Sequence, residues 1–109
     1  MSRVTNETNY CIFCGRNATQ EHHLLFGTHG RKFADEYGLT IPICDACHTR
    51  GEYLCGRIHD NSMAEALSKI AGQLAWEKNY YKDLYNNMNE GADDEARDRF
   101  IELYGQSFL

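Results

Sequence analysis

The chain has 109 residues, 42% of them hydrophobic and 12% aromatic, with a formal net charge of −5. That composition excludes a disordered chain, and the length suits one domain spanning residues 1–109. No apolar run approaches the ~18 residues that span a bilayer, and the polar opening Met1–Tyr10 is not a signal peptide, so a cytoplasmic protein with no membrane partner is expected.

In chain order, the first feature is Cys11-Ile12-Phe13-Cys14, whose spacing recurs in Cys44-Asp45-Ala46-Cys47. A two-residue gap lets both thiolates of a knuckle face one ion, and two knuckles supply a tetrahedral four-cysteine set for structural Zn2+. Gly15 suits the tight turn after the first pair. Such a zinc site would contribute about 10 kcal/mol to folding. Redox-active or disulfide-bonded dithiols are the alternative, with no export signal to favour them. The fifth cysteine, Cys55, reads as a small buried apolar residue.

Glu21–Phe26 and Thr40–Cys44 are short apolar runs that suit strands. Between them Gly27–Gly38, with three glycines and four charges, reads as a long loop. Asp45–Arg50 suits the start of a helix that Gly51 and Gly56 keep short. A longer helix is expected from Ser62 to about Met88, with Ser62 and Glu65 at capping-box spacing and Asn61 as a competing cap. Its apolar stripe would be Leu67, Ile70, Leu74, Tyr81, Leu84, Tyr85 and Met88, with Trp76, Tyr80 and Tyr81 as packing residues. After a break at Asn86–Gly91, Ala92–Tyr104 forms a last helix, with Asp93, Asp94 and Glu95 at its favourable end and Gly105 as its stop. The expected class is α+β: a zinc-stapled core over residues 8–59 and a helical extension over 60–109.

The histidines cluster around the knuckles. His22 and His23 adjoin on the first strand, where neighbours point to opposite faces. His48 directly follows the second knuckle, Glu52 lies one helical turn further on, and His59 and His29 complete the set of five. Imidazoles suit both metal ligation and general base chemistry.

A Cys-x-x-Cys, a doubled histidine on a strand and a second strand running into Cys-x-x-Cys-His together resemble the HNH endonucleases, whose ββα-metal (His-Me) finger surrounds one divalent ion. The run His22–Gly27, with Arg31-Lys32 and Glu36–Leu39 after it, is similar to small phage and prophage HNH-like proteins. So is the ending Arg99–Gly105 and Ser107–Leu109. The resemblance implies His22 and His48 as ligands of a catalytic divalent ion, Glu52 or alternatively His59 as a further ligand, and His23 as general base. The family's middle asparagine is replaced by Leu39, so another group must orient the base.

The implied activity is metal-dependent hydrolysis of DNA phosphodiesters in phage or prophage DNA processing or recombination. Mg2+, Mn2+, Ni2+ and Zn2+ are all compatible with imidazole ligands. The alternatives are a non-catalytic zinc-stapled module that binds nucleic acid or protein, and a purely structural zinc protein. The charge bears on the DNA partner. Residues 1–58 carry six basic and six acidic side chains, so the whole net charge of −5 lies in 59–109. Arg31, Lys32, Arg50 and Arg57 are the candidate phosphate contacts. Weak non-specific DNA binding is expected, with a partner protein or homodimer completing the surface.

Overall fold

The computed structural model describes residues 2–6, 9–50, 58–85 and 93–109. Strand β1 (Gln20–His23) pairs antiparallel with β2 (Thr40–Ile43), placing Gln20 opposite Ile43, Glu21 opposite Pro42, His22 opposite Ile41 and His23 opposite Thr40. The first strand ends earlier than its apolar run suggests. Leu24 keeps one backbone bond to Leu39, and the Leu24 and Leu25 side chains enter the core, where they are 4% and 0% exposed.

The connection Gly27–Gly38 corrects the expected long loop, because Gly27–Tyr37 is an α-helix, α1. Gly30, Phe33 and Ala34 are buried and Tyr37 half-buried, so the inward positions recur at helical spacing. Glycine at two of the helix's positions hides that spacing from a hydropathy reading. The helix closes at Gly38, where the Leu39 N–H reaches the Ala34 carbonyl at 2.9 Å.

The two knuckles clamp this unit at one end. In the first, Cys11 N–H bonds the Arg16 carbonyl at 2.6 Å and Gly15 N–H bonds the Cys11 carbonyl at 2.9 Å. Gly15 has φ +80°, a left-handed turn that glycine adopts without steric cost. Ile12 N–H then bonds the Pro42 carbonyl, and Thr19 N–H the Ile43 carbonyl, tying the knuckle to β2. The second knuckle opens a π-helical turn, Ala46–Arg50, and Ile58–Asp60 forms a 3-10 turn. Cys55, Gly51 and Gly56 lie outside the described residues.

Helix α2 (Ser62–Tyr85) starts where expected, but its cap is Asn61. The Asn61 side-chain oxygen accepts the Ala64 N–H at 3.1 Å and its carbonyl the Glu65 N–H at 2.9 Å. The predicted stripe needs correction, since Leu67 and Leu74 are 57% and 49% exposed. The inward face is Ser68, Gly72, Gln73, Trp76 and Glu77. Polar groups occupy it because each has a partner. Gln73 donates to Glu77 and to Ser107 and accepts the Phe108 N–H at 2.6 Å. Arg97 of helix α3 (Asp93–Tyr104) reaches both Glu77 oxygens, at 3.3 and 3.4 Å. Trp76 packs in the core as expected, and Tyr80 and Tyr81 pack against it. The rings of Phe33, Trp76, Phe100 and Tyr104 meet at the centre, with Phe100 fully buried. Gly105 ends α3, as its N–H bonds the Ile101 carbonyl at 2.8 Å. Leu84 and Tyr85 side chains, and all of Asn86–Ala92, lie outside the described residues.

Candidate metal-binding site

The Cys11, Cys14, Cys44 and Cys47 sulfurs all lie within 4.8 Å of one another, with Cys14 and Cys44 at 3.5 Å. Sulfurs placed ~2.3 Å from one zinc ion in a tetrahedron are about 3.8 Å apart, so the cluster fits a closed tetrahedral site. The four thiols are free rather than disulfide-bonded. Backbone amides favour thiolates in the first knuckle. The Arg16 amide leads in lowering the Cys14 thiol to about 6. Burial opposes ionisation of Cys11, but the amides of Cys44, Cys14 and Phe13 outweigh it and the net shift is downward. At Cys44 burial prevails and the shift is upward.

A second cluster forms directly beside the first. One ring nitrogen each of His22, His48 and His59 falls within the same 4.8 Å limit. β1 supplies His22, the turn after the second knuckle supplies His48, and the 3-10 turn supplies His59. The His48 and His59 Nε2 atoms are 3.1 Å apart. The His22 ring stands edge-on to both, with centroids 5.3 Å from His48 and 5.0 Å from His59.

His22 is 1% exposed, and its Nε2 meets Ser68 Oγ at 2.8 Å while its Nδ1 has no hydrogen-bond partner. A buried orphan nitrogen beside two other imidazoles is costly unless something binds there, and a cation with nitrogen affinity fits it. Burial, reinforced by the nearby His59, His48 and His23, lowers His22 to about 3, and burial also lowers His48. Both rings are therefore neutral near pH 7, the state a metal requires. Of the two candidates for a further ligand, His59 stands in the cluster, while Glu52 lies outside the described residues.

His23, the next residue on β1, reaches α1. Its Nε2 meets Asp35 Oδ1 of α1 at 2.7 Å. Leu39, where the resemblance to HNH endonucleases expects an asparagine, is fully buried core and contributes only backbone there, accepting the Leu24 N–H at 2.9 Å. Asp35 is thus the group that orients His23. Its role is hidden in the sequence because the glycine-rich stretch around it reads as a loop.

Arg31 and Lys32 are exposed on α1, within one turn of Asp35. Arg50 is described only in its backbone, and Arg57 lies outside the described residues. A basic residue absent from the sequence expectation is Lys69 of α2. Its Nζ sits 4.9 Å from the centre of the Phe26 ring, and that ring packs edge-on against His59 at 4.9 Å. His29 is structural, its Nε2 donating to the Tyr104 carbonyl at 2.9 Å.

No described helix is long and apolar enough to cross a membrane. Comparison with protein-family models, with curated proteins and with solved structures returns no match for this chain.

Proposed function

We propose that the chain is a metal-dependent DNA endonuclease of HNH type, in which β1, β2 and the turn after the second knuckle form a ββα-metal finger. One observation carries the reading: three imidazoles converge beside a four-cysteine cluster, and a further histidine on the same strand is held by a carboxylate. The cysteines would hold structural Zn2+, since four sulfurs leave no open coordination position. His22, His48 and His59 would hold a catalytic divalent ion with coordination positions to spare. When bound, that ion would supply Lewis-acid stabilisation to the scissile phosphate and the leaving 3′ oxygen.

The remaining chemistry belongs to the chain. Asp35 accepts the His23 Nε2 proton and leaves Nδ1 with the lone pair, so Nδ1 is the atom that would deprotonate the attacking water. Arg31 and Lys32 are exposed on the helix that carries Asp35, and Lys69 stands one ring away from His59. These residues would take the phosphates on either side of the cleaved bond.

The test is cleavage of duplex, single-stranded and branched DNA by the zinc-loaded chain, with Mg2+, Mn2+, Ni2+ or additional Zn2+. Divalent-ion-dependent cleavage that drops about 10²–10⁴-fold in His23→Ala, with metal stoichiometry unchanged, is the expected result. Binding of DNA with no cleavage under any of these ions would instead establish the non-catalytic module.

A further inference from the structure

The three histidines of the cluster each use their second ring nitrogen in a hydrogen bond, and the partners determine where the protons are. Ser68 Oγ lies 2.8 Å from the Leu24 carbonyl and 2.8 Å from His22 Nε2. A carbonyl can only accept, so the single hydroxyl proton of Ser68 points at Leu24. Its lone pair then faces His22, which must donate from Nε2. The His22 lone pair is left on Nδ1, the buried atom without a partner.

His48 follows the same logic. Its Nδ1 meets Gln20 Oε1 at 2.7 Å, while the Gln20 amide nitrogen donates to Asp45 Oδ1 at 3.3 Å. The Asp45 carboxylate fixes the orientation of the Gln20 amide, so its oxygen faces His48 and His48 carries its proton on Nδ1. At His59 the Nδ1 partner is Glu65 Oε2 at 3.4 Å, again an acceptor. The lone pairs of His48 and His59 therefore both fall on Nε2, on atoms 3.1 Å apart. Two facing lone pairs repel, and the pair is accommodated when a cation lies between them.

We propose that Ser68, Gln20 and Glu65 are positioning residues that set the tautomer of His22, His48 and His59, aiming three lone pairs at one point before an ion binds. Ser68 and Glu65 sit one turn apart on α2, which makes that helix part of the metal site rather than an appendage. Asp45 lies between Cys44 and Cys47, so the Gln20 bridge also ties the orientation of His48 to the second knuckle. The donor set contains nitrogen alone, which favours Zn2+, Co2+ or Ni2+ over Mg2+.

The inference rests on metal binding at the histidines, as in the proposed function, but not on DNA cleavage. It is tested on the zinc-loaded chain in two ways. Long-range 1H–15N correlation of the histidine rings, without added metal at neutral pH, should show His22 protonated at Nε2 and His48 at Nδ1. Co2+ titration followed by its visible absorption should give one equivalent beyond the cysteine site. Affinity should fall about 10–100-fold in Ser68→Ala and in Gln20→Ala, and recover in Ser68→Thr. Unchanged Co2+ affinity in both variants, or a proton on His22 Nδ1, would overturn the proposal. If Ser68→Ala does not fold, the ring spectra of the native chain and the Gln20→Ala titration still decide. Native rings protonated as expected, with no Co2+ equivalent beyond the cysteines, would refute the metal reading as well as the proposed role, whereas wrong tautomers with tight Co2+ binding would refute only the role.

Discussion

Burial and the neighbouring His59, His48 and His23 hold His22 at about 3 in the folded chain, whereas an unfolded imidazole titrates at ~6.5. Between those values the unfolded chain binds the proton and the folded chain does not. The stability this site confers is therefore fully present above about pH 6.5 and is lost as pH falls toward 3. Urea unfolding across that window should show a shallower acid slope for His22→Gln than for the native chain; equal slopes would contradict the assignment. Asp35 acts on the proposed chemistry through His23, so Asp35→Ala should lower cleavage about 10–100-fold without altering metal stoichiometry. Lys69, held over Phe26, should behave differently. Lys69→Gln should weaken DNA binding evenly across sequences and reduce the salt slope by about one, as measured by fluorescence anisotropy at several salt concentrations. The four-cysteine cluster is legible in the sequence because two identical Cys-x-x-Cys spacings mark it, and His22 and His48, which the family resemblance singles out, do meet beside it. Ser68 and Gln20 are not legible, since a serine inside a helix and an exposed glutamine at a strand start have many uses, and only their partners single these out.

The helical elements show where periodicity misleads. The exposure of Leu67 and Leu74 shows that hydropathy alone misplaces the face of α2. Its inward face is decided by close approach and polar pairing instead. At Gly72 an added Cβ would meet Leu24 Cβ at 3.1 Å and two Leu25 side-chain atoms at 3.2 Å. The helix thus rests directly on the segment that follows His23. Gly72→Ala should push α2 away, costing about 1–3 kcal/mol by denaturant titration and weakening Co2+ binding at the histidines, because Ser68 is one turn away. A stability change that leaves Co2+ affinity untouched would separate the helix's packing from its role at the metal. Helix α1 is hidden for a related reason. Gly30 packs inward where a side chain would meet the Leu25 backbone at 3.0 Å, so a glycine that reads as a loop signal is a packing contact.

Across the whole molecule, the cysteine cluster and the aromatic core are separate sources of stability, since they are distinct sets of buried residues. Removing zinc from the zinc-loaded chain with a chelator should therefore loosen the knuckles and the histidine cluster first, detectable as loss of the Co2+ equivalent, while the fluorescence of Trp76 in the aromatic core changes later. The sheet between these two regions has only four residues in each strand. A sheet so short has few contacts with which to choose its own alignment, and side chains alternate faces along it. A slip by one residue would exchange the environments of His22 and His23, turning the buried ring toward α1 and the Asp35-bound ring toward Ser68. The bonds from Ile12 and Thr19 to Pro42 and Ile43 prevent that exchange by anchoring the ladder to the first knuckle. The cysteine clamp thereby works as a key for chain alignment: deleting one residue between Cys14 and Gln20 would leave every cysteine and histidine of the two clusters present and still scramble which histidine joins the cluster.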